Sequence, residues 1–283
     1  MESISCTLAE VVECLEALYD PSWAESWDAV GLVCGDPEQA VRKVLFAVDP
    51  VAVVVDEALG WGAGLVVTHH PLYLRGTTSV AATTFKGRVV HRLIRGGAAL
   101  YAAHTNADVA DPGVSDALAR AVGLRGDLRP LQPSAGDPRR GLGRIGELPA
   151  PMPLREFAAL AASGLPRTAG PLRVAGDPGR PVRTVAVCGG AGDSLLGTAR
   201  AAGVDVFLTA DLRHHPASEN MEADGPALVD ASHWATEWPW LADAARRLTS
   251  ALAARGITVE ARVSDAVTDA WTATTTDLDP RAS

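Results

Sequence analysis

The 283-residue chain has no apolar run approaching the roughly 18 residues that a membrane-spanning helix needs, and its first 20 residues carry acids where a secretory leader carries bases. Neither membrane insertion nor export is expected, and the cytoplasm is the expected compartment. The four cysteines, Cys6, Cys14, Cys34 and Cys188, form no CxxC pair and are too few for a disulfide framework at this size, so reduced, mostly buried thiols are expected. Aromatic residues make up only 5%, and Trp23, Trp27, Trp234, Trp238 and Trp240 read as packing residues, not as platforms for a ligand. Basic residues are missing before Arg42, a stretch that holds nine acids, whereas the remainder balances 25 acids against 25 bases. The net charge of -9 therefore belongs to the N-terminal segment, and the balance elsewhere argues against nucleic acid held by a general basic surface. Gly189-Gly190-Ala191-Gly192 fits neither the GxGxxG nor the Walker pattern and reads as a tight turn in preference to an anion cradle.

What the chain does have is an alternation of short apolar runs with amphipathic stretches, the pattern of strands crossing over to helices in a mostly parallel sheet. Leu8, Val11, Val12, Leu15 and Leu18 share one face of a first helix. Strands follow at 44–48, 65–68 and 98–103, helices at 51–61, 85–95 and 115–122, and residues 31–37 read as a turn. Residues 124–181 hold ten of the nineteen prolines and read as a connector with short elements at 143–148, 154–162 and 172–175. The alternation resumes with strands at 185–188, 204–208 and 227–230, helices at 193–202 and 215–223, a last helix starting near 237 and a final strand at 257–263. The predicted organisation is α/β: an N-terminal half over 1–123, the connector over 124–181 without a large inserted domain, a similar C-terminal half over 182–271, and a flexible tail over 272–283. The two halves rhyme, which suggests a weak internal duplication.

Six of the seven histidines fall just after expected strands, with His91, on a helix, as the exception. Ligands of open parallel α/β sheets bind beyond the carboxyl ends of the strands, so this clustering points to chemistry there. One strand end offers His69-His70, a second His104 with Asp108 four places on, and a third His233 with Glu237 four places on. A single histidine or first-turn acid in such a place is usually structural. Three sets in one chain point instead to metal binding, since imidazole and carboxylate are the usual ligands of a divalent transition ion. Within a regular strand His69 and His70 would face opposite ways. At a strand end, with Pro71 holding His70 extended, the two rings can reach two neighbouring ions. Thr236 is a candidate N-cap for the helix carrying Glu237, and Pro239 falls in its expected first turn.

Four ordered motifs, Trp27-Asp28-Ala29-Val30-Gly31-Leu32, Thr68-His69-His70-Pro71-Leu72, Tyr101-Ala102-Ala103-His104-Thr105-Asn106-Ala107-Asp108 and Asp230-Ala231-Ser232-His233-Trp234-Ala235-Thr236-Glu237, resemble those of the dinuclear metal centre hexameric proteins. These are the NGG-interacting-factor-three-like proteins, labelled GTP cyclohydrolase 1 type 2. The resemblance covers residues 6–271. It implies two similar α/β halves with a dinuclear metal site between them, and self-association into a homohexameric ring. It implies His69, His70, Asp108, His233 and Glu237 as ligands of two divalent ions (Zn, Fe or Mn), with His104 and His215 at the rim as catalytic residues. Ala29, Ser115, Ala210 and Ser232 depart from the usual pattern, where Asn, Asn, Gly and Gly are common; none removes an implied ligand.

The chemistry this implies is metal-assisted hydrolysis of a nucleotide, with a water activated at neutral pH and His104 or His215 moving the proton. For a GTP cyclohydrolase the attack falls on C8 of the purine and releases formate. The alternatives are a phosphoesterase built on the same centre and a non-catalytic, metal-holding ring scaffold for protein partners.

Overall fold

A computed structural model describes residues 6–275 and residue 277, so much of the expected tail over 272–283 lies outside the described residues. The chain divides into two units, one reaching Ala110 and resuming over Leu241–Thr268, the other comprising Asp111–Trp240 and the residues from Asp269.

In the first unit, α1 (Leu8–Leu18) starts at a capping box in which the Thr7 hydroxyl accepts from the Glu10 N–H while the Glu10 carboxylate accepts from the Thr7 N–H. Next come β1 (Gly31–Cys34), β2 (Lys43–Ala47), α2 (Ala52–Trp61), β3 (Leu65–Thr68), α3 (Phe85–Arg95), β4 (Ala99–Ala102) and the short α4 (Thr105–Val109). Helix α2 stops at Gly62, which takes the left-handed conformation (φ 78°) that lets its N–H close on the Ala58 carbonyl. Strands β2, β3 and β4 are parallel neighbours, and every β3 and β4 side chain is buried, as expected of a sheet covered on both faces. Residues 31–37 are not simply a turn. Gly31–Cys34 pairs antiparallel with β4, an edge position too short to show a periodicity in sequence.

The second unit begins with α5 (Val114–Ala121) and then departs from expectation over 124–181. This stretch is not a connector: β5 (Arg125–Ser134) and β6 (Asp137–Pro153) form a long antiparallel hairpin, followed by α6 (Leu154–Gly164) and β7 (Arg173–Ala175). Its prolines are accommodated because β5 is an edge strand carrying Pro130 and Pro133, and because Pro149 and Pro151 fall where the β6 register shifts between Glu147 and Met152. The chain continues through β8 (Pro181–Ala191), α7 (Leu196–Ala201), β9 (Val206–Ala210), α8 (His214–Glu222) and β10 (Ala227–Ala231). The six-stranded sheet runs β5-β6-β8-β9-β10-β7, parallel only across β8, β9 and β10. Thus β2-α2-β3-α3-β4 and β8-α7-β9-α8-β10 repeat one theme, three neighbouring parallel strands joined by helices.

Helix α9 (His233–Ala254) carries the chain back to the first unit, where β11 (Glu260–Val263) pairs parallel with β2. The expected C-terminal half over 182–271 is therefore wrong at its end: residues 241–268 belong to the N-terminal unit. The helix also starts four residues earlier than expected, so Pro239 lies inside it and Thr236 is not its N-cap. Among the described residues no helix is long and apolar enough to cross a membrane.

Phe157 of α6 is fully buried in one core with Val185, Val187, Val206, Leu208 and Val229 from the central strands. Phe157→Ala should therefore cost about 3–5 kcal/mol in denaturant unfolding; a cost within about 0.5 kcal/mol would mean that residues 124–181 are a dispensable connector after all.

Candidate metal centre

The donor residues of the first unit are placed by strand ends. β3 stops at Thr68, and the backbone N–H groups of His69 and His70 continue its pairing by donating to the Ala47 and Val48 carbonyls. Beyond the regular strand the alternation of faces no longer applies, and the two rings lie side by side with centroids 5.3 Å apart. His104, just past β4 at the N-cap position of α4, brings its ring to 5.2 Å from that of His69 and 5.7 Å from that of His70. The three histidines offer ring nitrogens within 4.8 Å of one another, and Asp108 Oδ1 lies 3.6 Å from His69 Nε2. The motif between His104 and Asp108 is anchored by its polar members. The Thr105 N–H and hydroxyl donate to Asp28, and the Asn106 amide donates to the Tyr19 carbonyl at 2.7 Å.

Each ring is held from behind. His69 Nδ1 is 2.9 Å from the Ala103 carbonyl, His70 Nδ1 is 2.7 Å from Asp49 Oδ1, and His104 Nδ1 is 2.9 Å from Asp28 Oδ1. An Nδ1 engaged by an oxygen acceptor carries the proton, which puts the ring's lone pair on Nε2, the arrangement of metal-ligating histidines. Asp28 pays for its position by burial, which alone would raise its carboxyl pKa. Hydrogen bonds from His104, Thr105 and the Ala29 N–H outweigh that and hold it well below the usual carboxylate range.

In the second unit the same device recurs. His233 opens α9 just past β10, and its Nδ1 lies 2.7 Å from Asp211, the residue after β9. Its Nε2 is 3.0 Å from Glu237 Oε1, one helical turn on and nearly buried. Asp211 adopts a left-handed backbone conformation (φ 55°), which an aspartate tolerates better than most residues. Behind the pair runs Gly190, also left-handed (φ 67°). A Cβ there would stand 2.6 Å from Glu237 Oε1 and 3.1 Å from His233 Nε2, so only glycine lets β8 pass this close.

The glycine stretch is neither a free turn nor an anion cradle. β8 runs through it to Ala191, the Gly190 N–H donates to Thr236 Oγ1 at 2.9 Å, and the Gly190 carbonyl accepts from Thr209. Thr236 therefore ties β8 to the first turn of α9.

The structure thus brings His69, His70, His104 and Asp108 together in one unit and His233 with Glu237 in the other. His215 is exposed on α8 against His214, and among the described residues no contact joins it to His233 or Glu237. His91 is exposed on α3. Trp27 is 56% exposed with its ring 6.0 Å from that of His104, so it does not pack in a core as expected. The orienting carboxylates Asp28, Asp49 and Asp211 were not singled out in sequence. A usable signal existed for two of them, since Asp49 and Asp211 stand just past β2 and β9, the parallel neighbours of the strands that end in His70 and His233.

An α/β chain whose parallel strands end in oriented imidazoles and carboxylates defines a class of protein able to hold a divalent metal. Residues 6–270 match the family model described as Duf34/NIF3 (NGG1p interacting factor 3), and the chain belongs to this family. A Streptomyces coelicolor protein named GTP cyclohydrolase 1 type 2 homolog is 61% identical over 268 residues, covering 94% of each chain. A Drosophila melanogaster NIF3-like protein 1 is 34% identical over 75% of this chain and 72% of its own. In solved structures, a Bacillus cereus protein related to NIF3 superposes with a TM-score of 0.89 at 25% identity, covering 96% of this chain and all of that one.

Gly190→Ala should leave the fold intact by circular dichroism yet lower the metal bound per chain, because the new methyl displaces Glu237 or His233. Unchanged metal content by elemental analysis would show that this pair is not a ligand set.

Proposed function

We propose that the chain is a dinuclear-metal-dependent hydrolase acting on a nucleotide, in line with the name GTP cyclohydrolase 1 type 2 homolog carried by its relatives. The observation that carries the reading is the shared geometry of His69, His70, His104 and His233, each with Nδ1 on an oxygen, while Nε2 of His233 faces Glu237 Oε1 and the three first-unit rings cluster. A purely structural histidine has no reason to repeat that Nδ1 contact at every strand end. In this reading His69, His70, Asp108, His233 and Glu237 hold two divalent ions. Bound there, the ions supply Lewis-acid chemistry that lowers the pKa of water towards neutrality.

The remaining work falls to the chain's own side chains. Asp28, ionised and buried, fixes His104 as Asp–His pairs do in general-base catalysis, so His104 Nε2 is the atom assigned to take the proton from water. Asp49 and Asp211 keep the His70 and His233 rings from rotating. His215, exposed on α8, is given no part.

The purified, metal-replete protein incubated with GTP should release formate, and His70→Ala and Asp108→Ala should each lower both bound metal and turnover by at least tenfold. Metal-replete protein that yields no formate from GTP would overturn the cyclohydrolase reading, and no hydrolysis of phosphate esters either would leave a metal-holding scaffold. Self-association into a homohexameric ring belongs to the same proposal. It is supported by the exposed Leu74, Val80, Phe85 and Ile94 of the first unit, apolar side chains that a second copy could cover. Light scattering on the purified protein should give six times the chain mass of 29.4 kDa; a monomeric mass would overturn it.

A further inference from the structure

Beside the His233–Glu237 pair the second unit has a cavity of about 520 Å³, within the range of small-molecule sites. Its walls come from four places: the 170–173 loop with Pro171 and Arg173, Asp211 just past β9, the end of β10 from Asp230 to His233, and the segment carrying Asp269 and Trp271. Trp271 is 77% exposed, the most exposed of the large hydrophobic side chains among the described residues. It is also held in place. Asp269 accepts the Trp271 N–H at 3.0 Å and, through its other oxygen, the hydroxyl of Ser232, the residue next to His233. One carboxylate therefore anchors the backbone that carries an exposed indole beside the His233–Glu237 pair.

The polar lining is unbalanced. Asp211, Asp230 and Asp269 bring acceptors, while Arg173, the one guanidinium in the lining, is already committed to Asp230 through Nε at 2.8 Å and a second contact from Nη2. With that pair cancelling, Asp211 and Asp269 leave the lining net negative, which repels a phosphate and favours a ligand that brings N–H donors. A flat ring fits the indole face and the slot. We infer that this cavity holds an amino-substituted nitrogen heteroaromatic ring of the guanine class, stacked on Trp271 with its N–H edge turned to the carboxylates, and that the phosphates of a nucleotide lie outside it. Guanine presents N1–H and its amino group as two neighbouring donors that match a carboxylate. Adenine presents an acceptor at N1, so the same lining discriminates against it.

The inference rests on reading the site as one for nucleotides, but its test is binding and needs neither turnover nor metal. Titration calorimetry with guanosine should show binding both to the protein as purified and after chelator treatment. Adenosine should bind at least tenfold more weakly, and ribose 5-phosphate should not compete. Trp271→Ala should weaken guanosine about tenfold or more, while Trp271→Phe keeps most of the affinity, a contrast that separates stacking from misfolding. Unchanged affinity in Trp271→Ala, or ribose 5-phosphate competing as well as guanosine, would overturn the inference even if formate is released from GTP. Trp271-dependent guanosine binding without formate would instead overturn the cyclohydrolase reading and keep this one.

Discussion

The hydrogen bond from each imidazole Nδ1 to an oxygen behind it is the constraint on which the rest of the site depends. It fixes the tautomer, aims Nε2 and removes the ring's rotational freedom in one contact. The acceptors are supplied by the register of the sheets. β3 lies between β2 and β4, and its two terminal histidines are divided between those neighbours: His70 on Asp49 beyond β2, His69 on the Ala103 carbonyl beyond β4. In the second unit β10 lies against β9, and His233 is held by Asp211 beyond β9. Parallel pairing keeps neighbouring strand ends level, so a residue one or two places past one strand reaches the residue past the next. The antiparallel strands β5, β6 and β7 of the second sheet contribute no donor to either set.

Burial sets the second condition. A carboxylate enclosed as Asp28 is must be paired or neutral, and here four donors keep it ionised, so a negative charge stands directly behind His104. This alters the meaning of the acidic N-terminal segment. Its excess charge is mostly exposed, yet Asp28 leaves the segment to become part of the site. The average over residues 1–41 therefore conceals one acid with a different task.

The central strands and their helices were legible because each carries a strong local signal: β3 and β4 are short all-apolar runs cut off by polar residues, and α3 has apolar positions at helical spacing over 85–95. The donors were legible for the same reason, being the polar residues that end those runs. The β5–β6 hairpin was not legible, because proline on an edge strand looks the same in sequence as proline in a loop, and only the pairing partner decides. The return of residues 241–268 to the first unit was also hidden. The Glu260–Val263 strand looks equally suited to any parallel edge, and its choice of β2 is a tertiary fact. Asp28 is an intermediate case. Its motif was visible, but its partner lies 76 residues away.

Ser232 joins these themes. It stands where the resemblance leads one to expect glycine, a position that touches no donor and could pass for neutral drift. Its backbone carbonyl accepts from the Thr236 N–H at the start of α9, a role that glycine would fill equally well. What serine adds is the hydroxyl, and that hydroxyl reaches Asp269, which in turn holds the backbone of Trp271. The substitution thus links the residue before a donor histidine to the one strongly exposed indole beside it. A glycine here would lose the tether together with the hydrogen bond that the hydroxyl accepts from the Ala235 N–H in the first turn of α9, so this departure bears both on what the cavity holds and on how the helix carrying the donor pair begins.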